Sequence, residues 1–224
     1  MARLPLEFSA KPSREYPNPE SVPHIIDYAA EQVKAGHFDK KTFKLLSETF
    51  QLVNRVSKLR LMQDQPFSRT LMGFNIGPHN SNQLANDFAG KDVTSTRQSD
   101  WIKSNEPINA VDASDDRVLP LSRYIVQAAF LLFIGDEALS ILPLILHGLS
   151  MMDASAASTL DYSIRFLSDD FDFEQYHLRE TRTIAAKHQR TYSEALIWDT
   201  SNRLVAVISQ TCVARPKPNS ASKM

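Results

Sequence analysis

Apolar positions divide the chain into a helical stretch, a polar interval and a run of strands. Val22, Ile25, Ile26, Ala29, Ala30 and Val33 recur at helical spacing, with Asn18 or Ser21 placed to cap the first turn and Gly36 to stop the last. Residues 39–62 repeat the pattern. Phe43, Leu46, Phe50 and Val53 form one stripe, Leu45, Leu52, Val56 and Leu59 widen it, and Lys40, Lys41, Lys44, Glu48, Arg55 and Lys58 point away. The stripe lasts about three heptads without a strict a/d repeat, which predicts a helix docked on a larger body rather than a coiled coil.

Beyond Pro66 the period changes. Residues 67–76 alternate apolar with polar and predict a strand, 77–93 are rich in Asn, Gly and Ser and predict a loop, and 94–102 predict a second strand. Residues 105–116 read as connection. Residues 117–149 are apolar nearly all round, the pattern of a helix buried on the concave face of a sheet. Strands are then predicted at 158–166, 176–186, 189–199 and 204–215, the last two separated by the turn signal Thr200-Ser201-Asn202-Arg203. The fold class is α+β, one antiparallel sheet wrapped around one helix. Its expected divisions are a proline-rich, extended and helical linker-like segment at 1–65, the sheet domain at 66–216 and a flexible tail at 217–224.

Composition narrows the chemistry. The 224 residues, 42% hydrophobic and 23% charged, suit one core with a small appendage, and a net charge of −1 gives no broad field for nucleic acid. Cys212 is the only cysteine, so an internal disulfide and a Cys-rich zinc site are excluded and packing is its expected role. The longest apolar region is interrupted by Gly135-Asp136-Glu137 and Pro143, and no leader pattern opens the chain, so neither a membrane span nor secretion is expected. The glycines form no phosphate loop, dinucleotide fingerprint or nucleophile elbow, and the histidines lack metal spacing, so no cofactor or metal is expected. Asp169, Asp170, Asp172 and Glu174 lack the glycine and closing glutamate of a calcium loop and read as a solvated acidic turn. Asp136, at the mouth of the apolar stretch, supplies an acid, and the strand-like segments 159–166 and 207–210 supply a hydroxyl and an amide. Those three groups could converge on one water, the outline of a hydrolase site.

Trp101-Ile102-Lys103, Gly135-Asp136, His147-Gly148, Thr159-Leu160-Asp161-Tyr162-Ser163-Ile164-Arg165-Phe166 and Gln210 stand in the order of similar motifs in the acyl-CoA thioesterase II family. From Trp101 onward the chain resembles these bacterial and peroxisomal double-hotdog enzymes. The resemblance implies a hotdog fold and hydrolysis of acyl-CoA to free acid and CoA by a water held by Asp136, Thr159 and Gln210. Asp136 would act as general base, and backbone N–H groups at the start of the helix would steady the oxyanion. No acyl-enzyme is required.

Three departures stand out. Tyr162 replaces the family's usual histidine, which bears on how the acyl chain is received. The lead-in at 115–135 is longer than usual, so Asp136 takes the acid position with an insertion; without one Ala129 falls there and the protein is inactive, and the spacing to His147-Gly148 favours Asp136. Only the second hotdog half is represented, and residues 8–65 resemble the linker between halves. A lone hotdog leaves a sheet edge and an apolar surface exposed, which implies a homodimer. Lys187, Arg190 and Arg215 are candidates for the CoA phosphates, and Phe130, Leu132 and Leu142 for the acyl tunnel. Ser222-Lys223-Met224 is close to the Ser-Lys-Leu signal and implies a peroxisomal address, with the import receptor as a partner. The alternative is an inactive or repurposed hotdog protein that binds acyl groups or a partner without turnover.

Overall fold

The computed structural model describes residues 10–62, 70–76, 78, 92–109, 121–136 and 139–218. Most of the predicted 77–93 loop, the approach to the apolar helix at 110–120, and Ser222, Lys223 and Met224 lie outside these residues. Helices α1 (Ile25–Lys34), α2 (Lys40–Thr49) and α3 (Gln51–Val56) come first. Strands β1 (Ser57–Leu61), β2 (Thr70–Leu71), β3 (Phe74–Asn75) and β4 (Arg97–Ser104) follow, then helices α4 (Arg123–Gly135) and α5 (Leu142–Leu146). Strands β5 (Ala154–Phe166), β6 (His177–Lys187), β7 (Arg190–Trp198) and β8 (Leu204–Pro216) complete the order. Among the described residues a six-stranded antiparallel sheet runs β1-β4-β6-β7-β8-β5, and β2 pairs with β3.

The core lies between this sheet and the helices. Leu131 and Ile134 of α4 share it with Ile25, Ala29 and Leu46 of the first helices and with Ala195, Ile197, Ala206 and Ile208 of β7 and β8. Leu131 and Ile134 are fully buried, each contributing about 1.5–3 kcal/mol relative to an exposed side chain. The first half of α4 is held by polar bonds as well. Arg123 donates to Asp172 at 2.9 Å and to Glu174 at 2.8 Å, while buried Gln127 donates to Asp172 at 3.0 Å and accepts from the Phe173 amide at 2.8 Å. The acidic turn is therefore an anchor for α4 rather than a solvated loop.

Two helix predictions are corrected. The single helix expected over 39–62 is broken at Phe50 into α2 and α3 and ends at Val56, because Ser57 and Leu59 are buried while Lys58 is exposed, a period of two, and β1 pairs with β4 through Leu59↔Ile102. Val56 and Leu59 fit either period over so short a window; pairing decides. The helix expected across 117–149 is broken around Asp136, and Pro143 sits in the first turn of α5. Nor is α4 buried all round: Tyr124, Ile125, Leu132 and Phe133 are 41–47% exposed. Asn18, offered as a cap for α1, caps the short turn Pro19–Ser21, and α1 begins after His24.

The β2–β3 hairpin closes on Met72 and Gly73, both at positive φ (49° and 82°), as in the type I′ turn that suits right-twisted strands. Gly73 is required, since a Cβ there would lie 2.3 Å from the Leu149 carbonyl oxygen. Met72 gains nothing of the kind, and a side chain in the left-handed region costs roughly 1–2 kcal/mol. On the outer face of the sheet the proline-rich segment lies as a strap. Trp101 Nε1 donates to the Pro17 carbonyl at 3.1 Å and Trp198 Nε1 to the Ala10 carbonyl at 3.0 Å.

Candidate active site

Strand alternation turns Ile208, Gln210 and Cys212 of β8 to the inner face, where Gln210 and Cys212 are fully buried. Across the β5–β8 ladder Thr159 stands opposite Cys212 and Tyr162 opposite Gln210. Residues three apart point to opposite faces of a regular strand. Here the register shifts between Thr159 and Asp161, so Leu160 is absorbed in a bulge and both hydroxyl side chains reach the same face.

Asp136 arrives from the opposite side, one residue beyond the end of α4. Gly135 makes its approach feasible. A Cβ on Gly135 would lie 2.4 Å from Ile208 Cδ1 and 2.6 Å from the Tyr162 hydroxyl, so glycine lets the helix end come this close to β8 and β5 with both side chains in place. Two donors hold that end: Arg179 Nη1 to the Ile134 carbonyl at 2.9 Å and the Tyr162 hydroxyl to the Leu132 carbonyl at 3.3 Å. These satisfy carbonyls that a helix C-terminus otherwise leaves open. Arg179 is itself paired in the core with Asp100, Nε to Oδ1 at 2.9 Å and Nη2 to Oδ2 at 2.6 Å, with both residues buried.

Asp136, Thr159 and Gln210 meet. Gln210 Nε2 donates to Asp136 Oδ1 at 2.5 Å and to Thr159 Oγ1 at 2.7 Å, and Thr159 Oγ1 lies 3.5 Å from the same carboxylate oxygen. Gln210 Oε1 is buried without a partner among the described residues. Asp136 and Thr159 are exposed, so the cluster has a closed floor and an open mouth. Burial pushes the Tyr162 hydroxyl up to about 12, reinforced by the Asp136 charge and opposed by Arg179, so it stays a neutral donor. Burial likewise pushes the Cys212 thiol up to about 11. A neutral thiol is a poor nucleophile, which leaves Cys212 a packing residue.

A cleft of about 410 Å³ opens beside Asp136, with Leu132, Phe133, Ile141 and Met151 among its apolar lining. Of the residues proposed for the acyl tunnel only Leu132 lines it; Leu142 is buried in the core and Phe130 packs on Phe173 at 5.4 Å. Lys187, Arg190 and Arg215 collect at one end of the sheet, where Lys187 pairs with Arg190 across the β6–β7 hairpin and Arg215 donates to Gln189 at 2.7 Å. All three are exposed. The oxyanion donors expected at the start of the helix are misplaced. Asp136 stands at the C-terminal end of α4, and 13 residues separate it from the N-terminus, about 20 Å at 1.5 Å per residue. The Asp100–Arg179 pair and Gln127 had no sequence signal: Asp100 and Arg179 stand 79 residues apart in strands with other polar residues beside them, and Gln127 lies alone in an apolar helix.

Residues 57–214, beginning at the first residue of β1, match the family described as the acyl-CoA thioesterase C-terminal domain. The chain belongs to this acyl-CoA thioesterase family. The thioesterase-family domain has the hotdog fold. An acyl-CoA thioesterase II, TesB2, from Mycobacterium marinum superposes with a TM-score of 0.51 over 97% of this chain and 60% of its own, at 15% identity. A hot dog fold protein of unknown function from Alicyclobacillus acidocaldarius aligns at TM-score 0.49 and 11% identity, over 96% of this chain and 59% of its own. A TesB protein from Mycobacterium avium subs. paratuberculosis aligns at 0.43 and 10% identity, over 72% and 67%. The chain thus spans about 60% of the length of the first two structures. No curated protein matches the sequence. Among the described residues no helix is long and apolar enough to cross a membrane, and no group of His, Cys, Asp and Glu is placed to hold a metal ion.

Proposed function

We propose that this domain hydrolyses acyl-CoA to a free acid and CoA at the Asp136–Thr159–Gln210 cluster. The observation that carries the reading is Gln210. One amide nitrogen bridges the acid and the hydroxyl, while its buried carbonyl oxygen is left with an acceptor to offer. Both bonds fall on Asp136 Oδ1, so among the described residues Oδ2 is open to take a proton. A water between Oδ2, Thr159 and Gln210 attacks the thioester carbon as Asp136 accepts its proton. The tetrahedral intermediate then collapses, the C–S bond breaks, and the CoA thiolate recovers the proton from Asp136. The acyl chain lies in the apolar cleft beside Asp136 and meets Leu132 and Tyr162's neighbourhood first. Lys187, Arg190 and Arg215 offer positive charge to the CoA phosphates.

The edge of β5 and the exposed Leu132, Phe133 and Leu160 form an uncovered margin next to the site. A homodimer that covers it belongs to this proposal, as edge strands with apolar flanks seek partners. So does a peroxisomal address read by an import receptor at Ser222-Lys223-Met224, tested by whether a fluorescent fusion loses its localisation when Met224 is followed by added residues.

The activity test is direct. Purified wild type hydrolyses at least one member of an acyl-CoA panel and the Asp136→Ala variant does not. Binding of acyl-CoA with no turnover by the wild type favours the non-catalytic acyl-binding reading instead.

A further inference from the structure

Two spaces meet at a pair of side chains. The cleft beside Asp136 is bounded at one end by Phe50 and Met72, and the same two residues bound a second cavity of about 40 Å³. That second cavity is lined by Ile25, Leu46, Leu59 and Ile145, among others, and reaches the Asp100–Arg179 pair and Gln98, whose Oε1 is buried without a partner among the described residues. Its size is room for about three waters. Phe50, at the junction of α2 and α3, forms one wall. Met72 forms the other from the hairpin tip, where Gly73 is pressed against Leu149 and the Met72 carbonyl accepts from the Met151 amide at 3.0 Å.

We propose that Met72, with Phe50 facing it, is a specificity-determining plug that sets how long an acyl chain the cleft accepts. The proposal rests on the acyl-CoA reading of the site. Its second support is independent of the cavities. Met72 occupies a left-handed turn position that Asn or Gly fills without strain, so its side chain is retained against the backbone's preference. An unbranched thioether is suited to that place because it fills irregular gaps and swings aside readily. Behind it Ile25, Ile26, Leu46, Leu59, Leu71 and Ile145 give the cavity an aliphatic part that fits the tail of a saturated chain, and Gln98 with the Asp100–Arg179 pair marks where that fit ends.

The backbone strain makes the test clean. In Met72→Gly the turn remains favourable while the plug is removed, so the protein stays folded and cleft and cavity become continuous. The optimum in a series of saturated acyl-CoAs then moves to chains longer by roughly two to four carbons. Each buried methylene is worth roughly fourfold, so kcat/KM for long relative to short chains rises at least about tenfold. Phe50→Ala, which opens the same passage from the other wall, shifts the series in the same direction and decides the matter should Met72→Gly not fold. A folded variant whose chain-length profile matches the wild type overturns the plug. Should the wild type bind acyl-CoAs without hydrolysing them, the catalytic reading fails alone, and calorimetric affinities across the same series show or refute the shift. A wild type that neither binds nor hydrolyses any member overturns both.

Discussion

Glu180 and Gln210 are buried on opposite faces of the same sheet, at 5% and 0% exposure, yet their hydrogen bonding differs. Glu180 accepts from the amide and hydroxyl of Ser13 and from the Tyr16 hydroxyl at 2.5 Å, with Arg97 at 3.8 Å, and Tyr16 is also bonded to Ser99 at 2.9 Å. The strap closes over this cluster. Gln210 keeps a buried oxygen without a partner among the described residues, and the acid it holds faces outward. A satisfied buried network fixes structure, whereas an unsatisfied one beside an open mouth is poised to hold something. A buried polar side chain therefore closes a network on one face and leaves an open one on the other.

The largest effect that separates the faces is expected from Asp136→Asn, which keeps the shape and removes the base. Turnover falls about 10²–10⁴-fold with little change in melting temperature, measured by CoA release and circular dichroism. Wild-type turnover in that variant would place the base elsewhere. Next comes the helix end. Arg179→Met strands the buried Asp100 carboxylate and lowers stability by about 3–5 kcal/mol in urea unfolding, while pairing it with Asp100→Leu recovers most of that loss. A double variant as unstable as the single one would refute the pairing account. On the outer face Glu180→Ala costs about 2–3 kcal/mol and leaves kcat near wild type once folded, the reverse of the Asp136 result.

The smallest effect is one of pH. Burial, opposed by a hydrogen bond to the Gln175 carbonyl, holds His177 below its ordinary value of 6.5, so the folded protein keeps it neutral. The unfolded chain takes up a proton near 6.5, so this contribution is complete above that pH and is lost as pH falls below it. Denaturant midpoints should decline just under this value, and less so in His177→Gln. A midpoint that rises on acidification would contradict the assignment.

Much of this contrast was legible in the sequence. Strand-like segments and the turn signal at 200–203 located β5 to β8 to within a few residues, although only β7 keeps a clean alternation of burial. The motif order singled out Asp136, Thr159 and Gln210, which the fold brings into contact. Three things were not legible. Strict alternation sets Thr159 and Tyr162 on opposite faces, and the bulge at Leu160 that reunites them is set by the ladder with β8. β1 is too short for its period to outweigh the helix before it. The apolar outer face of α4 reads like core because composition does not say which side has a neighbour. Glu180 gave no hint of its partners, since Ser13 and Tyr16 are 167 and 164 residues away along the chain.

The central claim is that water, activated by Asp136 over Gln210, attacks the thioester directly. A single turnover in water labelled with heavy oxygen, with enzyme in excess over a hydrolysed acyl-CoA, tests it most directly. With direct attack by water the label appears in the released acid and Asp136 carries none. Unlabelled acid with heavy oxygen in the Asp136 carboxylate would show an acyl-enzyme anhydride and contradict it.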